Sequence, residues 1–373
     1  MNRFGRIAVP AILGLYPYQP GKSESELERE LGLSNIVKLA SNENPLGPSP
    51  AAIDVIKAGR LNLARYPDGS GHVLKKGLAE RWSVMPEQIT LGNGSSEVLE
   101  LIARVFLGPG REAVFSEYAF AMYPIFVQAA GAKARIAKAL SPDSSMPYGH
   151  DLDAMRALIT DQTGVVFIAN PNNPTGTYVT GTGLYRFIES LPDRVLCVVD
   201  EAYYEYVEKI DFPDTLSWIE RFPNLIVTRT FSKAYGIAGL RVGYAISDPE
   251  ISELINRVRQ PFNINSIALE AASAALGDDE HLRQSRRSNQ SGLVFLSGAL
   301  QERSLEVIPS IANFVCVDVK RNSIQLFNDL LREGVIVRPL ANYLMPDHIR
   351  VTVGTPDENT RFLNALDRIL SRV

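Results

Sequence analysis

Short apolar runs alternate with stretches of helical periodicity through the middle of the chain. The runs are "EAVFS", "KARIA", "GVVFIAN", "VLCVVDE", "NLIVTRTFS" and "VGYAI", and segments such as "SSEVLELIARVF" and "TGLYRFIESL" lie between several of them. Strands alternating with helices predict an α/β domain built on a mostly parallel sheet. After Pro261 the pattern changes. A long helical stretch, Ser266 to Arg303, is followed by strands "FVCVDV", "VIVRPL" and "HIRVTVG" separated by one helix, and then by a final helix. This part predicts a smaller α+β domain. The first 45 residues hold too little apolar periodicity to form a unit and are expected to pack on the smaller domain or on a partner subunit. The expected organisation is an arm over 1–45, a large α/β domain over 46–262 and a small domain over 263–373.

Composition narrows the function classes. With 45% apolar and 21% charged residues and a formal net charge of -4 without long single-sign runs, the chain carries no electrostatic footprint for nucleic acid. The two cysteines, Cys197 and Cys316, sit inside apolar runs with no metal-ligand spacing around them, so they are expected to be buried and reduced and no metal site is expected. Arg3 and Arg6 precede "IAVPAILGL", which has the look of a signal-peptide core, but Pro10 interrupts it and no small-x-small cleavage site follows. No window reaches the roughly 18 apolar residues of a membrane span. A soluble cytoplasmic protein without a membrane partner is expected.

In a parallel α/β sheet ligands collect where strands end in loops, and four such places are polar. In "ITLGNGSSEVLELI" a strand end runs through Gly94 into a hydroxyl-capped helix that carries Ser95 and Ser96. Free N–H groups and hydroxyls there suit an anion, although the same string also describes a plain helix cap. In "FIANPNNPTGT" a strand enters a proline-stiffened loop bearing Asn173. In "VLCVVDEAYYEY" Asp200 ends a hydrophobic run, with Tyr203 three residues on; a buried carboxylate needs a cation or hydrogen bonds, and an ordinary ion pair would satisfy it equally. Finally, "TRTFSKAYGIAGLRVGYA" places Thr230, Ser232, Lys233 and Arg241 between two apolar segments. Most lysines are solvated, yet one flanked by hydroxyls, glycines and a strand end is suited to be a desolvated amine able to form a Schiff base.

These four elements, in this order and over the whole chain, resemble the fold-type I pyridoxal-phosphate aminotransferases of the aspartate aminotransferase superfamily. Within that group "KLASNENPLGPSP", "RYPDGSGHVLK", "NPNNPTGT", "VVDEAYYEY", "FSKAYGIAGLRVGY" and "HIRVTVG" are similar to histidinol-phosphate aminotransferases. The resemblance implies a seven-stranded sheet flanked by helices and pyridoxal 5'-phosphate as cofactor. It implies that Lys233 anchors the cofactor and moves the substrate proton, and that Asp200 pairs with the pyridine nitrogen. Asn173 and Tyr203 would bond the ring's 3-oxygen, while Gly94, Ser95, Ser96, Thr230, Ser232 and Arg241 would hold the phosphate. The aromatic ring over the cofactor would be Tyr118 or Phe120 of "SEYAFAMYP", with Phe120 favoured by its distance from Tyr123; the segment departs from the commoner Pro-Thr-Tyr form. Tyr66 would reach a neighbouring subunit's cofactor phosphate, which implies a homodimer.

For substrate, the resemblance gives Arg350 the α-carboxylate of glutamate, the amino donor. Arg338 would take either the histidinol phosphate group or glutamate's distal carboxylate, with Tyr18 and Asn44 at the same mouth. The implied reaction is transamination between histidinol phosphate and 2-oxoglutarate or glutamate in histidine biosynthesis. Its rivals are an aromatic-amino-acid aminotransferase and a phosphothreonine decarboxylase. A pyridoxal-phosphate-binding regulator would need a DNA-binding module, for which the short arm has no room.

Overall fold

The structure, a computed structural model, describes residues 3–59 and 62–371. Near the start, helix Glu24–Leu31 is capped by the Ser23 hydroxyl and closed by left-handed Gly32, and it is followed by a two-residue strand, β1 (Val37–Lys38). The central sheet has seven strands: β2 (Ile89–Asn93), β3 (Glu112–Ser116), β4 (Lys133–Ala137), β5 (Thr163–Ala169), β6 (Leu196–Asp200), β7 (Leu225–Thr230) and β8 (Val242–Ile246). Their order is β2-β8-β7-β6-β5-β3-β4. Pairs from β7 through to β4 are parallel, whereas β8 runs antiparallel to both β7 and β2.

The uninterrupted apolar runs of β5, β6 and β7 follow from burial on both faces. Successive side chains of a strand point to opposite sides of the sheet, so each run feeds two cores. Val166, Ile168, Cys197, Val199, Leu225 and Val227 enter one core, and Val165, Phe167, Val198 and Ile226 enter the other.

A second, antiparallel sheet is formed by β9 (Glu306–Ile308), β10 (Phe314–Asp318), β12 (Arg338–Pro339) and β13 (His348–Thr352), in the order β12-β13-β10-β9. Between them, β11 (Val335–Ile336) pairs in parallel with β1, so residues from the beginning of the chain complete a core near its end. The expected single helical stretch over 266–303 is two helices, Ser266–Leu276 and Asp279–Glu302. Gly277 ends the first, and the Asp278 side chain caps the second by accepting from the His281 N–H. Residues before 45 touch both parts of the chain. Leu27 packs with Leu331 and Ile336, while Gln128 Nε2, on helix Met122–Ala129, donates to the Ala11 carbonyl at 2.9 Å. No helix among the described residues is long and apolar enough to cross a membrane.

Beside the strand ends lies a fully buried ion pair. Arg229 donates through Nε and Nη2 to Glu201 Oε2 at 2.9 and 2.7 Å, Thr215 donates to Glu201 Oε1 at 2.6 Å, and both charged side chains have 0% exposure. The guanidinium carbon lies 4.2 Å from the Trp82 ring centroid and 3.4 Å from that of Tyr204. Removing one partner strands the other charge, so Arg229→Met is expected to lower stability by about 3–5 kcal/mol, read as a fall in the urea midpoint. A midpoint equal to wild type would show that the pair contributes nothing net.

Candidate active site

The strand ends of β5, β6 and β7 open into one cleft of about 860 Å³, part of it continuous with solvent. Its walls include Ser95, Ser96, Phe120, Asn173, Asp200, Tyr203, Thr230, Ser232, Lys233 and Arg241, together with Tyr18, Arg338 and Arg350. Asn173, Asp200, Tyr203, Thr230, Ser232 and Lys233 come to the cleft at or just beyond the carboxyl ends of β5, β6 and β7, Ser95 and Ser96 from the start of a helix, and Arg338 and Arg350 from strands of the second sheet.

One pole of the cleft is built for an anion. The sequence suggested a hydroxyl-capped helix here, but the cap position is Gly94, at φ 78° and ψ 161°, and no side chain caps the helix. Ser95 and Ser96 are instead its first helical residues, so the N–H groups of the first turn stay open to a ligand. A Cβ on Gly94 would lie 2.5 Å from Arg241 Nη2, and one on Gly243 would lie 2.1 Å from the Ser95 nitrogen. Glycine at both positions lets the guanidinium and the helix start meet. Arg241 holds a left-handed backbone, at φ 58°, and its Nη1 donates to Ser232 Oγ at 3.2 Å. The Ser232 N–H donates to Thr230 Oγ1 at 3.1 Å. The result is a cradle of hydroxyls, open amides and one guanidinium.

In the middle stand the two groups whose protonation matters most. Asp200, 5% exposed, accepts from the Tyr123 hydroxyl at Oδ2 and from Thr228 at Oδ1, each at 3.1 Å. Burial pushes its carboxyl up to about 6, against these hydrogen bonds and the Ala202 N–H, which hold it down. Lys233 donates from Nζ to the Ser41 carbonyl at 2.9 Å. Burial, followed by the Arg350 charge and then that of Arg241, lowers its amine to about 7. A neutral, nucleophilic amine near pH 7 is the state that attack on a carbonyl needs.

The far pole is cationic. Arg350 donates from Nη1 to Asn173 Oδ1 at 2.5 Å and from Nη2 to the Ala40 carbonyl at 2.7 Å, leaving its buried Nε without a partner among the described residues. Arg338, 8% exposed, donates to the Gln19 carbonyl at 2.9 Å, and its guanidinium lies 5.7 Å from the Tyr18 ring centroid.

With this geometry in place, comparison with known proteins is decisive. The sequence model of the family described as aminotransferase class I and II matches residues 34–366. The chain belongs to the class I and II aminotransferases. It is 55% identical over 373 residues to histidinol-phosphate aminotransferase 2 of Pseudomonas fluorescens (strain Pf0-1), covering 100% of this chain and 99% of that protein. It is 52% identical over 367 residues to histidinol-phosphate aminotransferase 1 of Nitrosococcus oceani, covering 98% of each. Among solved structures, it is similar to the histidinol-phosphate aminotransferase of Sinorhizobium meliloti in complex with pyridoxal-5'-phosphate, with a TM-score of 0.88, 27% identity and 98% of each chain covered. The fold is the type I fold of that superfamily.

In this aminotransferase Asn44 and Tyr118, assigned to the site from sequence, lie elsewhere, and Tyr66, assigned to a neighbouring subunit's site, lies outside its own cleft. Asn44 does not line the cleft; its amide donates to the Ala234 carbonyl at 2.9 Å and to Ser285 Oγ at 2.8 Å, behind Lys233. Tyr118 also stays out, edge-on to Tyr148 at 5.3 Å, and it is Phe120 that faces the cleft. Tyr66 is 82% exposed, stacked on Phe262 at 4.7 Å, outside the cleft of its own chain. Sequence reasoning missed Asn42, Ser41, Tyr123 and Thr228. Asn42 and Ser41 were visible in "ASNENP", where the polar run rather than its last asparagine was the signal. Tyr123 and Thr228 carried none, since each reads as core.

The pH dependence of Lys233 gives a direct check on the cofactor-free aminotransferase. Its amine is protonated below about pH 7 and neutral above, so labelling by an amine-specific reagent should reach half its plateau rate near pH 7. A half-point near the ordinary 10.5 would contradict the desolvation.

Proposed function

We propose that the protein transfers an amino group between L-histidinol phosphate and 2-oxoglutarate or glutamate, using pyridoxal 5'-phosphate. The observation that carries this reading is the placement of a lowered-pKa lysine and a buried carboxylate between an anion cradle and two buried arginines within a single cleft. The names of the full-length relatives support the substrate.

The residues fit the cofactor. Gly94 and Gly243 let Arg241 and the helix start at Ser95 close on one point, where a Cβ would collide with them, and the donor set of Ser95, Ser96, Thr230, Ser232 and Arg241 suits a phosphate dianion. Phe120 supplies the apolar face. Bound there, pyridoxal phosphate supplies a ring that accepts electron density from the substrate α-carbon. Asp200, anionic above about pH 6, holds the proton on the pyridine nitrogen. Asn173 and Tyr203 orient the ring through its 3-oxygen. Lys233 Nζ would hold the cofactor's aldehyde carbon and would move the proton at the substrate α-carbon. Arg350 grips the glutamate α-carboxylate with its planar fork. Arg338, with Tyr18 beside it, takes the phosphate of histidinol phosphate or the distal carboxylate of glutamate. Two substrates that share an anionic tail can then use one site in turn.

The active unit in this reading is a homodimer, in which the exposed Tyr66 ring completes the phosphate site of the partner subunit. A cytoplasmic setting agrees with the free, buried thiols of Cys197 and Cys316.

The kinetic test is a substrate comparison. With pyridoxal phosphate and 2-oxoglutarate, kcat/KM for histidinol phosphate is expected to exceed that for phenylalanine by about 100-fold or more, since phenylalanine carries no distal anion and leaves the buried Arg338 unpaired. Parity with phenylalanine would make it an aromatic aminotransferase, and carbon dioxide release without glutamate turnover would make it a decarboxylase.

A further inference from the structure

Two cleft residues, Asn42 and Tyr203, are joined by a hydrogen bond whose direction the surrounding structure determines. Asn42 Nδ2 donates to the Tyr203 hydroxyl oxygen at 2.8 Å. Which end of an amide faces a neighbour is decided by its other contacts. Here the other contact is Thr352, on β13. Its Oγ1 accepts from the Asn42 backbone N–H at 2.9 Å and donates to Asn42 Oδ1 at 3.2 Å. Turning the amide around would leave the Thr352 hydroxyl proton, on a residue 3% exposed, without an acceptor. Thr352 therefore fixes the Asn42 oxygen toward itself and the Asn42 nitrogen toward Tyr203.

The consequence falls on the tyrosine proton. A phenol oxygen that already accepts from Asn42 cannot donate back to the same nitrogen, and the Tyr203 hydroxyl donates no hydrogen bond among the described residues. The remaining direction is the cleft, which Tyr203 lines. Burial pushes the phenol well above its ordinary value, so the proton is present at neutral pH. The charged groups nearest it are Arg350, Asp200 and Lys233, whose Nζ is 5.8 Å from the Tyr203 ring centroid; Tyr343 is a neutral neighbour. Asn42 is held for this task. It is 1% exposed, its backbone is left-handed at φ 55°, a conformation asparagine tolerates, and its carbonyl accepts from Asn313 Nδ2 at 3.0 Å.

We propose that Asn42 and Thr352 are positioning residues that aim the Tyr203 hydroxyl proton into the cleft, making Tyr203 an obligate donor to the oxygen of whatever ring binds there. The inference rests on the pyridoxal-phosphate reading, in which that acceptor is the cofactor's 3-oxygen. A donor stabilises the charge on this oxygen, most of all in the high-pH form, where no neighbouring imine proton offsets it. Losing the donor raises the pH at which the bound cofactor's visible absorbance changes.

The test is that titration, on the holoenzyme, for wild type and four variants. Asn42→Asp places a carboxylate against Tyr203 that accepts its proton, and aspartate also tolerates the left-handed backbone. Thr352→Val keeps the shape and frees the amide to turn. Both should raise the midpoint by roughly one pH unit, as Tyr203→Phe should, while Thr352→Ser should titrate with wild type. A role confined to packing would leave the midpoint in place. The proposal is overturned if Tyr203→Phe moves the midpoint and neither Asn42→Asp nor Thr352→Val does, a result that leaves the cofactor reading standing. It is overturned equally if Tyr203→Phe leaves the midpoint unmoved. If wild type binds no chromophore, the cofactor reading fails and this proposal fails with it.

Discussion

The segment from Leu39 to Asn42 is fastened at every residue, and the cleft takes its shape from those bonds. The Leu39 carbonyl accepts from the Thr352 N–H at 2.9 Å and the Ala40 carbonyl from Arg350 Nη2 at 2.7 Å. The Ser41 carbonyl accepts from Lys233 Nζ, and Asn42 binds Thr352, Tyr203 and Asn313. Buried backbone carbonyls must be paired, so a four-residue irregular segment along the cleft wall demands donors from the elements it passes. Those donors are the functional side chains themselves. The lysine from the central sheet and the arginine from the second sheet are thereby indexed to one strip of backbone, which explains how residues on separate sheets hold a common geometry.

The same convergence sets the electrostatics. Lys233, Arg241, Arg338 and Arg350 line the cleft with Asp200 as the only carboxylate there among the described residues. Unscreened by bulk water, these charges act over longer distances than at a surface, lowering the lysine amine and favouring anionic ligands at both ends. Asp200 answers to its surroundings differently: burial raises it, while Tyr123, Thr228 and the Ala202 N–H restrain the rise. A base that is neutral near pH 7 and an acid that is charged above about 6 therefore coexist within one cleft.

Much of this was legible in the sequence, and the limits have physical reasons. The runs of β5, β6 and β7 were readable because strands buried on both faces are apolar at consecutive positions. Lys233, Asp200, Asn173 and Arg241 were readable as polar residues at or after strand ends, Arg350 only through the resemblance, and all five line the cleft. The break at Gly277 was not, since alanine-rich helix on one side and the long helix on the other share one periodicity. Asn44 and Asn42 are two residues apart in the same polar run, and only the fold decides which of them faces the cleft. Tyr123 looks like core because its ring is core, stacked on Phe167 at 4.9 Å; its hydroxyl alone reaches Asp200. A polar tip on an apolar body leaves no trace in a hydropathy pattern.

The central claim is that Lys233 is the covalent anchor of the site. Loading the protein with pyridoxal phosphate, reducing it with borohydride and mapping the pyridoxyl group by peptide mass spectrometry tests this claim directly. One modified lysine per chain is expected, on the peptide that contains Lys233. A pyridoxyl group on any other lysine, with Lys233 unmodified, would contradict it.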